Sequence, residues 1–422
     1  MRASVPLRDR RPVHRRPAIV RAMVTATTPR RGAVLACVLL LVTVLVAACG
    51  KGDDGQSPKI GQKGGDEAAA RTLGFPVFAT KNTTRVGGAD SVANAAGVAQ
   101  AVYAGQSSTT RPAAVTLVDR KNWQAGVAAA VFMSTPVRAP ILLTDGDELP
   151  PATAGALAAL RPTGSKAVGG AQVLRIGGAA KAGSFKSTTI GGSSPYALAQ
   201  QIDRVQSAAA GRSSDRVIVA SADSAAYAMP AAAWAAKSGD PILFVARDNI
   251  PRETRVALNA HRQPKIYVLG PPDVVSEKVV RDLRRLGTVT RVSGRTAVGN
   301  AIAFARFIDG RFGWGVVDPG HGLVFVAERK PLDAAAAAPL SATGKYGPLL
   351  LVGPGNEMPA PLIQYLLDIQ PGYERDPVRG VYNHAWLIGD ESTISVAEQS
   401  RIDALMEIVP VTASAPPDRP AS

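Results

Sequence analysis

A short apolar run that opens with proline occurs three times along the chain, at Pro140–Thr144, Pro241–Val245 and Pro348–Val352. The three prolines are 101 and 107 residues apart, so the pattern has a period of about 100 residues. An apolar run with proline in first position is typical of a parallel strand that is buried on both faces. The pattern therefore predicts three tandem repeats, with these strands in the interior of their sheets.

The segments around these runs also recur in the same order. Each repeat opens with a short strand and a glycine turn, and continues with an alanine-rich helix, a β-branched strand and a second helix. The proline-led strand, a third helix and an apolar strand ending in glycine follow. The predicted first helices are Ser91–Ala104, Pro195–Ala209 and Ala297–Ile308. Strands that alternate with helices of this length predict parallel pairing through right-handed crossovers.

We therefore expect an α/β fold made of three tandem parallel-sheet repeats of about 100 residues. A repeat of that size gains stability when it buries a face against its neighbours, so we expect a pseudo-threefold arrangement. The predicted segments are a signal peptide with a basic leader at 1–48, a lipid-anchored flexible tether at 49–70, repeats at 71–183, 184–287 and 288–410, and a disordered tail at 411–422.

The beginning of the chain has the pattern of a secretory signal. Arg30 and Arg31 precede an apolar run from Ala33 to Ala48, which is short for a membrane span. The run ends in Val-Ala-Ala-Cys-Gly, which resembles a bacterial lipobox and makes Cys49 the predicted lipid-modified first residue, held at the outer face of the cytoplasmic membrane. The alternative is an ordinary secretory signal with a chance cysteine. Met1 and Met23 both remain as possible start codons.

The charge of the chain indicates an anionic partner. The formal net charge is +15, and residues 1–48 contribute nine arginines against one acidic residue, which leaves about +7 on the remainder. A basic chain of this kind suits an anionic polymer without identifying it, and we predict no nucleic-acid partner.

The sequence contains no motif of a known catalytic or metal-binding site. Nucleophile elbows, P-loops, His-Glu-x-x-His and Cys-x-x-Cys patterns are all missing. Of the four histidines, His14 lies in the leader. His261, His321 and His384 have no acidic or nucleophilic residue at a spacing typical of a catalytic pair. We expect His261 to lie in a surface loop. The predictions are therefore that the protein is not an enzyme and has no cofactor and no metal.

The candidate binding residues lie where the β-branched strands end. Ligands of open α/β sheets bind at the carboxyl ends of the strands, and basic side chains near helix amino-termini bind phosphates or carboxylates. The alternative is that these are solvated loop charges. The candidates are Arg120, Lys121 and Asn122 in repeat one, Ser221 and Ser224 in repeat two, and Arg329 and Lys330 in repeat three.

The order of these motifs resembles the cell wall-binding repeat 2 family over residues 81 to about 410. The resemblance rests on the Thr-Arg-Val-x-Gly opening, the segment Leu332–Leu340, the Pro-Ile-Leu-Leu run, the Leu-Pro pair after it and the final Ile-Gly-Gly strand. It implies three repeats that attach a surface protein non-covalently to cell-wall polymers. The family's Asp-Ala-Leu start occurs here only as Asp333-Ala334, which adds Asp333 to the candidates. Gln124 and Tyr227 replace that aspartate, which puts binding by repeats one and two in doubt.

Three classes of function follow from these observations. The first is a non-catalytic cell-surface lipoprotein that binds an anionic cell-wall polymer or peptidoglycan through its repeats. The second is a solute-binding lipoprotein of a transport system, which would have two lobes and a hinge. The third is a repeat protein that binds another surface protein. A wall-modifying enzyme would need a separate catalytic domain, for which we expect no room.

Overall fold

The computed structural model describes residues 77–342, 346–353 and 358–411. The predicted signal peptide, Cys49, the tether at 49–70 and residues 412–422 of the predicted tail lie outside the described residues. Among the helices that the structure describes, none combines the length and the apolar character needed to span a membrane.

Strands and helices alternate through the three repeats. The strands are β1 (Val77–Ala79), β2 (Thr83–Val86), β3 (Val115–Asp119), β4 (Ile141–Thr144), β5 (Val173–Ile176), β6 (Ser187–Ile190), β7 (Arg216–Ser221), β8 (Ile242–Val245), β9 (Lys265–Leu269), β10 (Thr288–Val292), β11 (Ile308–Asp309), β12 (Phe312–Gly313), β13 (Gly322–Ala327), β14 (Tyr346–Val352), β15 (Gly372–Tyr373), β16 (His384–Ile388) and β17 (Val409–Pro410). The α-helices are α1 (Ser91–Val102), α2 (Trp123–Ala129), α3 (Pro151–Leu160), α4 (Pro195–Ala210), α5 (Ala225–Ser238), α6 (Arg252–Ala260), α7 (Glu277–Leu283), α8 (Ala297–Arg306), α9 (Pro331–Ala342), α10 (Ala360–Asp368) and α11 (Val396–Met406). Short 3-10 helices cover Ser108–Thr110, Ala130–Met133, Lys166–Val168 and Pro377–Arg379.

The first helix of each repeat begins at its predicted residue because the residue before it caps the helix. The side chains of Asp90, Ser194 and Thr296 accept hydrogen bonds from backbone N–H groups three residues later, at 2.9, 3.1 and 3.1 Å. Such caps satisfy amides that have no partner within the helix.

The main strands form three sheets with the same topology, and β11-β12 and β15-β17 are two additional two-stranded sheets. The orders are β4-β3-β5-β6, β8-β7-β9-β10 and β14-β13-β16-β2, and all of these pairs are parallel. Strand β1 adds to β2 in the antiparallel direction. The predicted α/β class with tandem parallel sheets is confirmed.

The position of the proline-led strands within the sheets differs from the prediction. Strands β4 and β8 and residues 347–352 of β14 are fully buried, but each strand is the last of its sheet rather than an interior one. An edge position tolerates proline, because proline has no N–H to donate to a neighbouring strand. Burial comes instead from the first helix of the same repeat, since α1 packs on β4, α4 on β8 and α8 on β14.

The opening strand of each repeat completes the sheet of another repeat. Strand β6 opens repeat two but pairs with β5 of repeat one, and β10 opens repeat three but pairs with β9 of repeat two. Strand β2 opens repeat one and pairs with β16 of repeat three, with Val86 opposite Ile388. The three sheets are thus joined in a closed ring, in which the two ends of the described chain meet.

The centre of the ring is a cluster of three helices, one from each repeat. Helices α2, α5 and α9 contact one another in all three pairings, in the predicted pseudo-threefold arrangement. Their facing positions are mainly alanine, including the fully buried Ala231–Ala233 and Ala334–Ala337. Small side chains let the helix backbones approach closely, so the high alanine content of the chain is a packing requirement.

Candidate functional site

The three loops singled out in the sequence lie together in the structure. They follow β3, β7 and β13 and lead into the three central helices. Gln124 Nε2 donates to the Ala222 oxygen at 3.1 Å, which joins the loops of repeats one and two. Burial raises the pKa of Tyr227 at the start of α5, and the negative charge of Glu328 in the third loop adds to this rise. The predicted residues therefore share one end of the central helix cluster.

The basic side chains of the first loop are paired with an acid. Arg120 Nη2 lies 2.5 Å and Lys121 Nζ 3.0 Å from the carboxylate of Asp145, which follows β4. A hydrogen bond from Lys121 and the charge of Arg120 lower the pKa of Asp145. Asn122 caps α2 and accepts from the Ala125 N–H at 3.0 Å. Both cations stay exposed, so an anionic ligand would compete with Asp145 for them.

The second loop carries no basic side chain. Ser221 is buried, and its Oγ accepts from the Asp223 N–H at 3.1 Å. Ser224 is half-buried at the cap of α5 and makes no side-chain cap bond. Because burial leaves Ser221 without surface, we exclude it from the candidate contact residues.

The third loop is held to a neighbouring loop through its arginine. Arg329 Nη2 donates to the backbone oxygens of Ser392 and Thr393 at 3.1 and 3.3 Å. The Arg329 side chain is exposed and Lys330 is half-buried. These two residues present the positive charge of repeat three at this end of the helix cluster.

Asp333 was a candidate binding residue, but the structure places it in the interior, where it holds two repeats together. It is fully buried, and its Oδ2 accepts from Asn94 Nδ2 at 3.0 Å. Asn94 Oδ1 accepts from the Gly88 N–H at 2.7 Å, and a Cβ on Gly87 would lie 2.1 Å from this oxygen. Burial raises the pKa of Asp333, against hydrogen bonds from Ser91 and Asn94. The aspartate joins repeat three to repeat one and has no surface for a polymer.

The sequence analysis missed a buried arginine that closes the ring. Arg85 on β2 is 6% exposed, and all its guanidinium nitrogens are engaged by repeat three. Its acceptors are Gly389 O at 2.8 Å, Asp390 O at 2.9 Å, Ile394 O at 2.8 Å and Gln399 Oε1 at 3.0 and 2.8 Å. Burial lowers the pKa of Arg85, and nearby carboxylates oppose this.

The same arrangement occurs once more in the ring. Arg291 on β10 donates to Gly270 O at 2.7 Å and to Val275 O at 2.9 Å. Repeat two has Thr189 in this position, and Arg175 of the adjacent strand bonds the following loop instead. The recurrence of Arg-Val in the opening strands was the signal that could have revealed these residues.

The prediction of a surface position for His261 is wrong. His261 is buried, with Nε2 2.8 Å from Asp203 Oδ2 and Nδ1 2.7 Å from Ser214 O. Burial alone would lower the pKa of His261, but its hydrogen bond to Asp203 and the charge of that residue raise it. A polar cavity of about 380 Å³ is lined by Asp203 of this pair together with Arg212 and Asp240.

The other histidines of the described segments make single polar contacts, His321 with Asp318 and His384 with Thr84. In the part of the chain that the structure describes, no three His, Cys, Asp or Glu side chains are grouped as a metal ion would require. In these segments the histidines therefore belong to no cluster of metal ligands.

Comparison with known proteins agrees with this architecture. Residues 189–280 match the family Cell wall binding domain 2 (CWB2), which confirms the predicted resemblance for that part of the chain. The chain is 26% identical over 209 residues to the amidase enhancer of Bacillus subtilis (strain 168), an alignment that covers 49% of this chain and 28% of that protein.

Two solved structures share the fold. Cwp6 from Clostridium difficile has a TM-score of 0.62 at 20% identity, over 77% of this chain and 48% of Cwp6. Cwp8 from Clostridium difficile has a TM-score of 0.59 at 17% identity, over 78% of this chain and 52% of Cwp8. The chain thus spans about half the length of either protein.

Proposed function

We propose that the protein binds an anionic cell-wall polymer non-covalently and catalyses no reaction. The observation that carries the proposal is the match of residues 189–280 to cell wall binding domain 2, within a ring that repeats the same sheet topology three times. The amidase enhancer is named for an accessory role, which agrees with a non-catalytic function.

The proposed contact residues lie at the shared end of the central helices. Arg120, Lys121 and Arg329 are exposed cations there, and Asn122, Ser224 and Lys330 are the half-buried residues of the same loops. Phosphate or carboxylate groups of a polymer would replace Asp145 as the partner of Arg120 and Lys121. Contacts between exposed charges are screened by salt, so binding should weaken as ionic strength rises.

A sedimentation assay on purified cell walls tests this function. We expect the full chain to bind intact walls about tenfold more tightly than walls stripped of anionic polymers, because exposed charge contacts supply the difference. The double variant Lys121→Ala with Arg329→Ala should bind intact walls several-fold more weakly, whereas the charge-matched control Lys166→Ala with Lys181→Ala should not. Equal binding to intact and stripped walls would refute the anionic-polymer proposal.

The proposal includes the predicted lipid anchor at Cys49. Two acyl chains are enough for stable membrane attachment, and the tether would let the ring reach the wall. We expect Cys49→Ser to release the protein into the medium or to stall its maturation, measured by membrane fractionation of expressing cells. A Cys37→Ser variant is the matched control. If Cys49→Ser remains in the membrane fraction in its mature form, the anchor is wrong.

A further inference from the structure

The positive charge of the ring is concentrated in one segment, which covers the end of repeat two and the first residues of repeat three. Residues 247–295 contain eleven Arg and Lys and five Asp and Glu. The remaining described residues contain 22 basic and 21 acidic residues, so they are almost neutral. Nearly all of the net positive charge of the described ring therefore lies in this segment, which favours contact with a polyanion there.

Helix α7 displays much of this charge on its outer face. Its apolar residues, Val279, Val280 and Leu283, are buried against the body of repeat two. The exposed cations are Lys278 and Arg281 in the helix and Arg284 and Arg285 directly after its last residue. This division follows from the helical period, which places residues three and four positions apart on the same side.

A single acid partly neutralises this surface. Asp282 Oδ2 lies 3.1 Å from Lys278 Nζ, and Asp282 Oδ1 lies 3.9 Å from Arg285 Nη1. Within the described residues no carboxylate lies within ion-pair distance of Arg281 or Arg284. These two guanidinium groups are therefore open to an external anion.

Comparison with repeat three shows that the fold does not need these charges. Helix α11 occupies the corresponding place and begins with the same serine cap, since Ser276 and Ser395 accept from N–H groups three residues later. Counted from that cap, the four basic residues of α7 correspond to Ala397, Ser400, Asp403 and Ala404. Repeat one has no α-helix between β5 and β6. The basic face is thus a feature of repeat two alone.

We propose that this basic face of α7, formed by Lys278, Arg281, Arg284 and Arg285, binds the phosphate groups of a polyanionic chain. The proposal rests on the proposed function and adds a second contact surface to the central loops. Guanidinium groups bind phosphate oxygens through paired hydrogen bonds, and the helical rise places Lys278 and Arg281 about 4.5 Å apart along the axis of α7.

The structure favours a soluble polymer over a lipid bilayer as the partner. A helix that inserts into a membrane surface turns its apolar side toward the lipid, whereas the apolar side of α7 is packed against the protein. The neighbouring helix α6 exposes one large apolar residue, Val256, which offers little area for insertion. A row of exposed cations outside any enclosed cavity is suited to repeated charges along a chain.

Long-chain inorganic polyphosphate is the probe that tests this surface directly. We expect the full chain to bind it, and we expect the variant R281S/R284A/R285A to bind about tenfold more weakly, since each exposed contact contributes modestly. The dependence of log Kd on log salt concentration should also fall by about two units of slope, because fewer counterions are released. The variant K166A/K181A/R204A removes three exposed charges elsewhere and should bind within about twofold of the parent chain.

Equal polyphosphate binding by the α7 variant and the control would overturn the proposal. Vesicles of phosphatidylglycerol test a lipid bilayer as the alternative partner. Binding to vesicles but not to polyphosphate would also overturn the proposal. The wall assay separates the two proposals. If the parent chain prefers intact walls and the α7 variant does so equally, the α7 surface is wrong and the proposed function stands. If the parent chain shows no preference, the proposed function fails, and the polyphosphate titration still decides the role of α7.

Discussion

Replacing Arg85 with methionine is expected to lower the free energy of unfolding by about 3 kcal/mol or more, because several acceptors lose their donor at once and each unpaired buried group costs about 1 kcal/mol or more. Three backbone oxygens and the Gln399 amide oxygen depend on this guanidinium. All four belong to repeat three, so the loss of these hydrogen bonds weakens the contact between β2 and repeat three that closes the ring. Urea denaturation followed by circular dichroism measures the change.

Thr189 is the matched control for this substitution. It occupies the corresponding position in repeat two, where its side chain is exposed and Arg175 supplies the bonds to the following loop. Thr189→Met should change the unfolding free energy by less than about 0.5 kcal/mol, as exposed substitutions usually do. If both variants unfold at the same urea concentration, Arg85 does not have the closing role that its contacts indicate.

Gly126→Leu is expected to destabilise the centre of the ring by about 3 kcal/mol, because overpacking a close-packed contact forces backbone and side chains apart. Gly126 lies in α2 where this helix meets α9. A Cβ at this position would be 2.8 Å from Leu332 Cδ2 and 3.2 Å from Ala335 Cβ. The methyl of Leu332 can move aside, but Ala335 Cβ and Val118 Cγ1 at 3.9 Å leave little space for the remaining atoms of a leucine. Thermal unfolding monitored by calorimetry measures the loss.

The same substitution at Gly155 should change the stability of the protein in the opposite direction. Gly155 is exposed in α3, and a Cβ there would meet no atom within 4 Å. Leucine has a higher helix propensity than glycine, so Gly155→Leu should stabilise the protein by up to about 1 kcal/mol. A Gly126→Leu protein as stable as the Gly155→Leu protein would show that α2 and α9 are not tightly packed.

The period of the apolar runs was sufficient to predict the α/β class and the order of strands and helices. An apolar run and a helix cap each consist of residues close together in the chain, so both are visible as local patterns. The first helices accordingly begin at Ser91, Pro195 and Ala297, as expected. Residues 189–280, which match cell wall binding domain 2, contain the proline-led run Pro241–Val245, whereas the segment Leu332–Leu340 on which the resemblance also rests lies outside the match.

The positions of strands within the sheets were decided by tertiary structure. A fully apolar run shows that a strand is buried, but it does not show whether a second strand or a helix covers it. The proline-led strands were therefore expected inside the sheets and lie at their edges, beneath α1, α4 and α8. Pairing between β2 and β16 joins residues about 300 positions apart, and no local pattern specifies such a contact.

The environment of single polar residues was likewise set by tertiary contacts. Asp333 and His261 are polar residues in segments that read as loop or helix start, and both are buried because another repeat or helix supplies their hydrogen-bond partners. Lys121 and Arg120 were identified as cations, but their pairing with Asp145 depends on the adjacency of β3 and β4. The sequence by itself determined which residues are charged and which strands are apolar. Only the folded ring decided which of those charges meet a partner, because that depends on contacts between segments far apart in the chain.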